Sequence, residues 1–155
     1  MVRVEEGTNE ALAEVIAHLR EDDVREIMAV SECDSRETLS VDLIVRYADR
    51  DDTYAVFDGD TAVAFGAMVE TRPNVITCGF FATDGFEAVA GRVVRFIRKR
   101  LFPVYREAGV HRIECTVMAG HAACRFAEAL GLRQEAVLRA YGKHREDFHQ
   151  FAWVG

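Results

Sequence analysis

Apolar positions along the chain change period twice. "VRVE" at residues 2–5 alternates over a strand's length, and "EALAEVIAHL" then places Leu12, Val15, Ile16 and Leu19 at helical spacing, with Thr8 or Asn9 as its cap. "DDVREIMAVS" continues helically from Asp22 and Asp23, acids that suit a helix start, and "SRETLSVDLIVRYAD" puts Leu39, Leu43, Ile44 and Tyr47 on one face. From Thr53 the period shortens. "TYAVFDGDTAVAFGAMVE" reads as two strands around the turn Asp58-Gly59-Asp60, and "NVITCGFFAT" as a third. A long helix follows from about Phe86 to Ala108, which Pro103 is expected to kink or end early. The chain closes with a strand in "HRIECTVM", a helix in "HAACRFAEAL" capped by Gly131, and strands in "RQEAVLRAY" and "EDFHQFAWV".

This order predicts one α/β or α+β domain over residues 1–155, with a mixed, mostly antiparallel twisted sheet flanked by helices. No repeat, low-complexity tract or linker divides it. The two helical crossovers fall in the second half, and ligands of open α/β sheets favour the carboxyl ends of such strands.

Composition narrows the function classes. The chain has 155 residues, enough for one well-buried domain, and 29% are charged, an ordinary globular value. The net charge of −7 is unevenly placed: residues 1–60 hold 17 acids and 6 bases, residues 61–155 hold 9 and 13. An acidic whole argues against general nucleic-acid binding, although a local basic stripe could meet phosphate. No apolar run reaches the roughly 18 residues of a membrane span, and "MVRVEEGTNE" has no secretion-type apolar region, so a cytoplasmic setting is expected. Cys33, Cys78, Cys115 and Cys124 form no close pair, which predicts free thiols and no metal site.

Candidate chemistry is sparse. "GFFATDGFEAVAG" joins a strand to a helix through a short polar turn, an arrangement that can hold phosphate on backbone amides or serve only as a helix cap. Glu70 ends the hairpin's second strand, and Glu114 shares a strand face with Arg112 and Thr116, so both are candidate bases as well as ordinary surface acids. The five histidines have no ligand or triad spacing, and no nucleophile elbow is present. Arg92, Arg95 and Lys99 share one face of the long helix, opposite Val89, Val93, Phe96, Ile97 and Leu101. That basic face suits solvent, the acidic helices of residues 10–52, an acidic partner or phosphate.

The element order and the block "VMAGHAACRFAEALGLRQEAVLRAYGKHREDFHQF" resemble the GNAT superfamily of acyl-CoA N-acyltransferases over nearly the whole chain. "HLREDDVREIMAVS", "FFATDGF" and "RFAEALGL" are similar to its phage-associated branch, which includes the bacteriophage internal virion protein A. The resemblance implies acetyl-CoA or CoA as cofactor, with the pyrophosphate on loop amides around Ala82, Thr83 and Gly85, and with Arg92 near the CoA phosphates. It also shows departures. The family's loop has closely spaced glycines, whereas here Phe86 and Glu87 separate Gly85 from Gly91, and Asp84 opposes an anion. The usual asparagine falls at Gly120, beside His121, and the usual tyrosine acid falls at Ala127, which cannot transfer a proton. His121 and Tyr141 are the candidate substitutes. These losses favour a noncatalytic or weakly active virion or assembly component, with protein partners at the acidic helices or the basic helix. The alternative is an active acetyl-CoA-dependent N-acetyltransferase acting on an unidentified amine.

Overall fold

The computed structural model describes residues 1–155. Seven strands form one sheet in the order β1-β2-β3-β4-β5-β7-β6: β1 (Val2–Glu6), β2 (Thr53–Asp58), β3 (Thr61–Arg72), β4 (Val75–Ala82), β5 (Arg112–Met118), β6 (Arg133–Leu138) and β7 (Phe148–Val154). Every neighbouring pair is antiparallel except β4 and β5. The expected fold class is the observed one.

Helices α1 (Asn9–Ala17), α2 (Glu21–Ala29) and α3 (Arg36–Tyr47) cover one face of the sheet. Leu12, Val15, Leu39 and Leu43 meet Phe65 and Phe81 of the strands there. Thr8 caps α1 through its hydroxyl, and Ser35 with Thr38 forms a capping box on α3. Helices α4 (Ala90–Phe96), α5 (Phe102–Glu107) and α6 (Ala123–Ala129) cover the other face, over cores built on Ile113, Phe151, Val56 and Ala64.

The long helix differs from its expected form at both ends. Thr83 caps a single 3₁₀ turn, Asp84–Phe86, and the α-helical run starts at Ala90. Near the other end, Pro103 neither breaks the helix nor ends it. A π-helical segment, Ile97–Leu101, links α4 to α5, and the Phe102 amide donates to the Ile97 carbonyl. Proline has no N–H to give Lys99, and the wider turn accommodates that missing bond. The basic face of this helix does not dock on the acidic helices, which lie across the sheet.

One feature of the sheet positions the site. β4 and β5 pair only at Val75–Arg112, Ile76–Ile113 and Thr77–Glu114, then part. Their carboxyl-terminal halves border a cleft that passes through the sheet.

Candidate active site

The cleft has a volume of about 170 Å³. Cys78 to Phe81 of β4 and Cys115 to Val117 of β5 form its walls, Glu26 and Tyr47 reach it from α2 and α3, and Phe126 of α6 and Leu130 just beyond that helix line it too. Ligand sites commonly measure about 300–1,000 Å³. This cleft therefore suits a narrow chain.

Its strand edges are open. The Ala82 amide and carbonyl both turn away from β3, donating to Asp23 and accepting from Arg20. Antiparallel alternation turns the N–H and C=O of Phe80 the same way, beyond the last residue paired with β5. On β5 the Met118 amide donates to Glu26, so Thr116, two residues earlier, also faces the cleft.

The α1–α2 connection closes the carboxyl end. Leu19 bridges to Thr83, and the Arg20 amide donates to the Ala82 carbonyl at 3.0 Å. That crossing brings Arg20, just before α2, and Asp23 and Glu26 within it, at three-residue steps, onto the strand ends. Asp23 is only 2% exposed. Its Oδ1 accepts from Arg20 Nη2 at 3.0 Å and lies 2.5 Å from His121 Nε2. Its Oδ2 accepts from Arg20 Nε at 3.0 Å and from the Ala82 amide at 2.7 Å. The Ala123 amide donates to His121 Nδ1 at 2.8 Å, which assigns the imidazole proton to Nε2, facing Asp23.

These contacts set the charges. Burial raises the Asp23 pKa, but His121, Arg20 and the Ala82 amide outweigh it and hold the carboxyl below its ordinary range. Burial lowers the His121 pKa, yet the Asp23 hydrogen bond and the nearby carboxylates bring it above the ordinary imidazole value. Glu26 is different. Burial pushes its carboxyl up to about 7, against the opposing effect of the Met118 amide, which it accepts at 2.9 Å through Oε2. Oε1 accepts no hydrogen bond from the chain, and Glu26 lines the cleft. This is a carboxyl that changes charge near neutrality.

Ligand atoms of Asp23, Glu26 and His121 lie within 4.8 Å of one another, a grouping that could hold a metal ion. Both Asp23 oxygens are already bonded, and the Arg20 guanidinium sits on the same carboxylate. The group is thus a charge-compensated hydrogen-bond network.

Tyr47 is the second polar group of the cleft. Its ring packs on Phe81 and Phe65, with centroids 5.6 and 6.4 Å away. Its hydroxyl lies over Gly79, where a Cβ would come within 2.7 Å of the oxygen, and bonds to nothing in the chain. Glycine at 79 is what lets the hydroxyl approach β4.

The residues singled out from sequence fall elsewhere, with one exception. His121 joins the network, buried to 4% exposure, but as a partner of Asp23 with no free face. Glu70 accepts from the Asn74 amide at 2.8 Å and caps the β3–β4 turn. Glu114 binds Arg112, Arg72 and Thr77 at the paired end of β4 and β5, and those arginines hold its carboxyl low against burial, the opposite of a base poised near neutrality. Tyr141 is 50% exposed and packs on Phe148, outside the cleft lining. Ala127 is 3% exposed and lines the cleft with a methyl group.

The strand-to-helix turn is likewise rearranged. The Ala82 amide is bonded to Asp23, that of Thr83 to the Val63 carbonyl, that of Gly85 to the Thr83 hydroxyl and that of Phe86 to the Thr83 carbonyl. Open amides occur further on. Those of Glu87, Ala88 and Gly91 donate to nothing in the chain, and nothing lies within 4 Å of a Cβ placed on Gly91. Arg92 points to a groove beside β1. The four cysteines are free, and burial pushes the Cys115 thiol up to about 12 and raises those of Cys78 and Cys124.

Sequence reasoning took Asp23 for a helix-start acid and passed over Glu26 and Tyr47. The available signal was Arg20, Asp23 and Glu26 at three-residue steps on one side of an otherwise amphipathic helix. What they face is a matter of topology, because His121 lies 98 positions from Asp23 in the chain.

No family model and no curated protein matches the chain. Solved structures do. A ribosomal-protein-alanine N-acetyltransferase from Brucella melitensis superposes with a TM-score of 0.69 at 17% identity, covering 99% of each chain. An acetyltransferase of the GNAT family from Bacillus anthracis gives 0.70 at 14%, over 99% of this chain and 94% of the other. The protein yncA from Salmonella typhimurium, solved with its cofactor acetyl-CoA, gives 0.69 at 11%, over 99% and 93%. With its splayed parallel pair inside an otherwise antiparallel sheet, the chain has the fold of the GNAT acetyltransferases.

Proposed function

We propose that the protein is an acyl-CoA-dependent N-acyltransferase in which Glu26 is the general base. The observation that carries this reading is a half-buried carboxyl with a pKa near 7, at the carboxyl ends of the two diverging strands. A base of that pKa works close to its optimum at neutral pH.

The residues present fit acetyl-CoA or another acyl-CoA. The amides of Glu87, Ala88 and Gly91 are the donors for the pyrophosphate, with small side chains at two of those positions. The open edges of Phe80 and Thr116 suit a narrow chain bearing amide groups. Such a cofactor supplies a thioester-activated acyl group. Glu26 Oε1 takes the proton of the incoming amine, and the Tyr47 hydroxyl gives a proton to the departing sulfur, the role that Ala127 cannot fill. Arg20, Asp23 and His121 hold α2 against the strand ends and fix Glu26 over the cleft.

Isothermal titration with acetyl-CoA and with CoA tests the cofactor, and a panel of amines tests transfer. The expected result is micromolar binding and a kcat/KM that rises with pH around 7, an ascent absent in Glu26→Gln. A second reading, the noncatalytic virion or assembly component of the phage-associated branch, rests on the alanine at the family's acid position. Absence of binding at millimolar acetyl-CoA selects it.

A further inference from the structure

The groove beside β1 lies at the far edge of the sheet, three strands from β4, and is separate from the cleft. Its volume is about 530 Å³. Val2 and Val4 form one wall, Arg92, Arg95, Phe96 and Lys99 the other, and no acidic residue lines it.

Two independent features of this groove need a partner. The first is charge. Although acids outnumber bases by 26 to 19, none of Arg92, Arg95, Lys99 and Arg100 forms an ion pair. Eight other arginines bind carboxylates and seven other cations do not, but these four unpaired ones are gathered in one groove free of acids. The second is backbone. β1 pairs with β2 alone. The Met1 carbonyl accepts from Gly59 at 2.8 Å and the Gly7 amide donates to Thr53 at 2.9 Å, so the odd-numbered positions face β2. The N–H and C=O groups of Val2 and Val4 therefore project from the open edge, beside the unpaired cations.

We infer that this groove binds an extended acidic peptide of another protein, which adds to the sheet as a strand along β1. Its main chain pairs with Val2 and Val4, and its carboxylates, at alternate positions, face Arg92, Arg95 and Lys99. Those three cations span about 10 Å along the helix, the reach of three to four extended residues. Main-chain pairing supplies affinity and the carboxylates supply specificity.

The test uses a short fluorescent peptide alternating glutamate and valine, followed by anisotropy. Binding is expected to weaken about tenfold or more in an Arg92→Glu, Arg95→Glu variant and to fall with added salt. It is also expected to be lost when the peptide backbone is N-methylated on its pairing edge. Thermal melts of the variant, whose changes lie on the exposed helix face, check that it is folded. Equal binding of the N-methylated peptide, tighter binding of single-stranded DNA, or no binding by the intact protein overturns the inference. Acetyl-CoA binding is unaffected by the peptide in either case, which keeps this result distinct from the fate of the acyltransferase reading.

Discussion

At Asp23 one carboxylate accepts hydrogen bonds from Arg20, Ala82 and His121, joining α2, β4 and the start of α6. Asp23→Ala would leave the Arg20 charge and the Ala82 amide buried without partners. A loss of about 3–5 kcal/mol is expected, read by urea denaturation. Loss of under 1 kcal/mol would show the network to be dispensable. Glu26 behaves in the opposite sense with pH. Its folded pKa, about 7, lies above its ordinary value of 4.5, so its contribution to stability is complete below 4.5 and is lost as pH rises to 7. Glu26→Gln keeps the uncharged form throughout. It should therefore gain on the parent protein between those pH values and exceed it above pH 7 by on the order of 3 kcal/mol. Denaturation curves at pH 5 and 8 check this. Gly79 and Tyr47 form a coupled pair. Gly79→Ala forces its methyl group against the Tyr47 hydroxyl and should cost about 1–3 kcal/mol, most of it recovered in Gly79→Ala, Tyr47→Phe.

Among the elements, the brief pairing of β4 with β5 has the widest consequences. Phe80 and Thr116 should exchange their amide protons faster than Phe81 and Val117, whose amides face inner neighbours. Acetyl-CoA should slow the first two selectively, a change that hydrogen-exchange mass spectrometry or NMR can follow. Most elements were legible from sequence because each has a local cause. Leu12, Val15 and Ile16 repeat at helical spacing, and Asp58-Gly59-Asp60 favours a tight turn, with Gly59 at φ 61°. The start of the long helix was less legible. The polar turn, read as a phosphate cradle or a cap for that helix, instead lets Thr83 cap a 3₁₀ turn whose Phe86 is drawn into a cluster with Phe80 and Phe126, and that distant packing delays the helix to Ala90. The π-helical turn before Pro103 was hidden too, since a proline allows a kink, a stop or a widened turn with no local signal to choose among them.

For the whole molecule, binding in the cleft is linked to folding. Acetyl-CoA at a hundred times its dissociation constant should add about 2.7 kcal/mol to stability, seen as a rise in melting temperature that Glu26→Gln largely retains. The sequence by itself determined the elements, their order, the acidic first half and the basic helix, because periodicity, turn residues and charge are local properties. It also determined the absence of a tyrosine at position 127. Which groups would meet was decided only by the tertiary structure. A departing parallel pair opens the cleft, the α1–α2 connection folds over its end, and Glu26 loses water there, so that an ordinary acid acquires a pKa near 7. Burial of a charge depends on contacts between distant segments, and no short stretch of the chain records it.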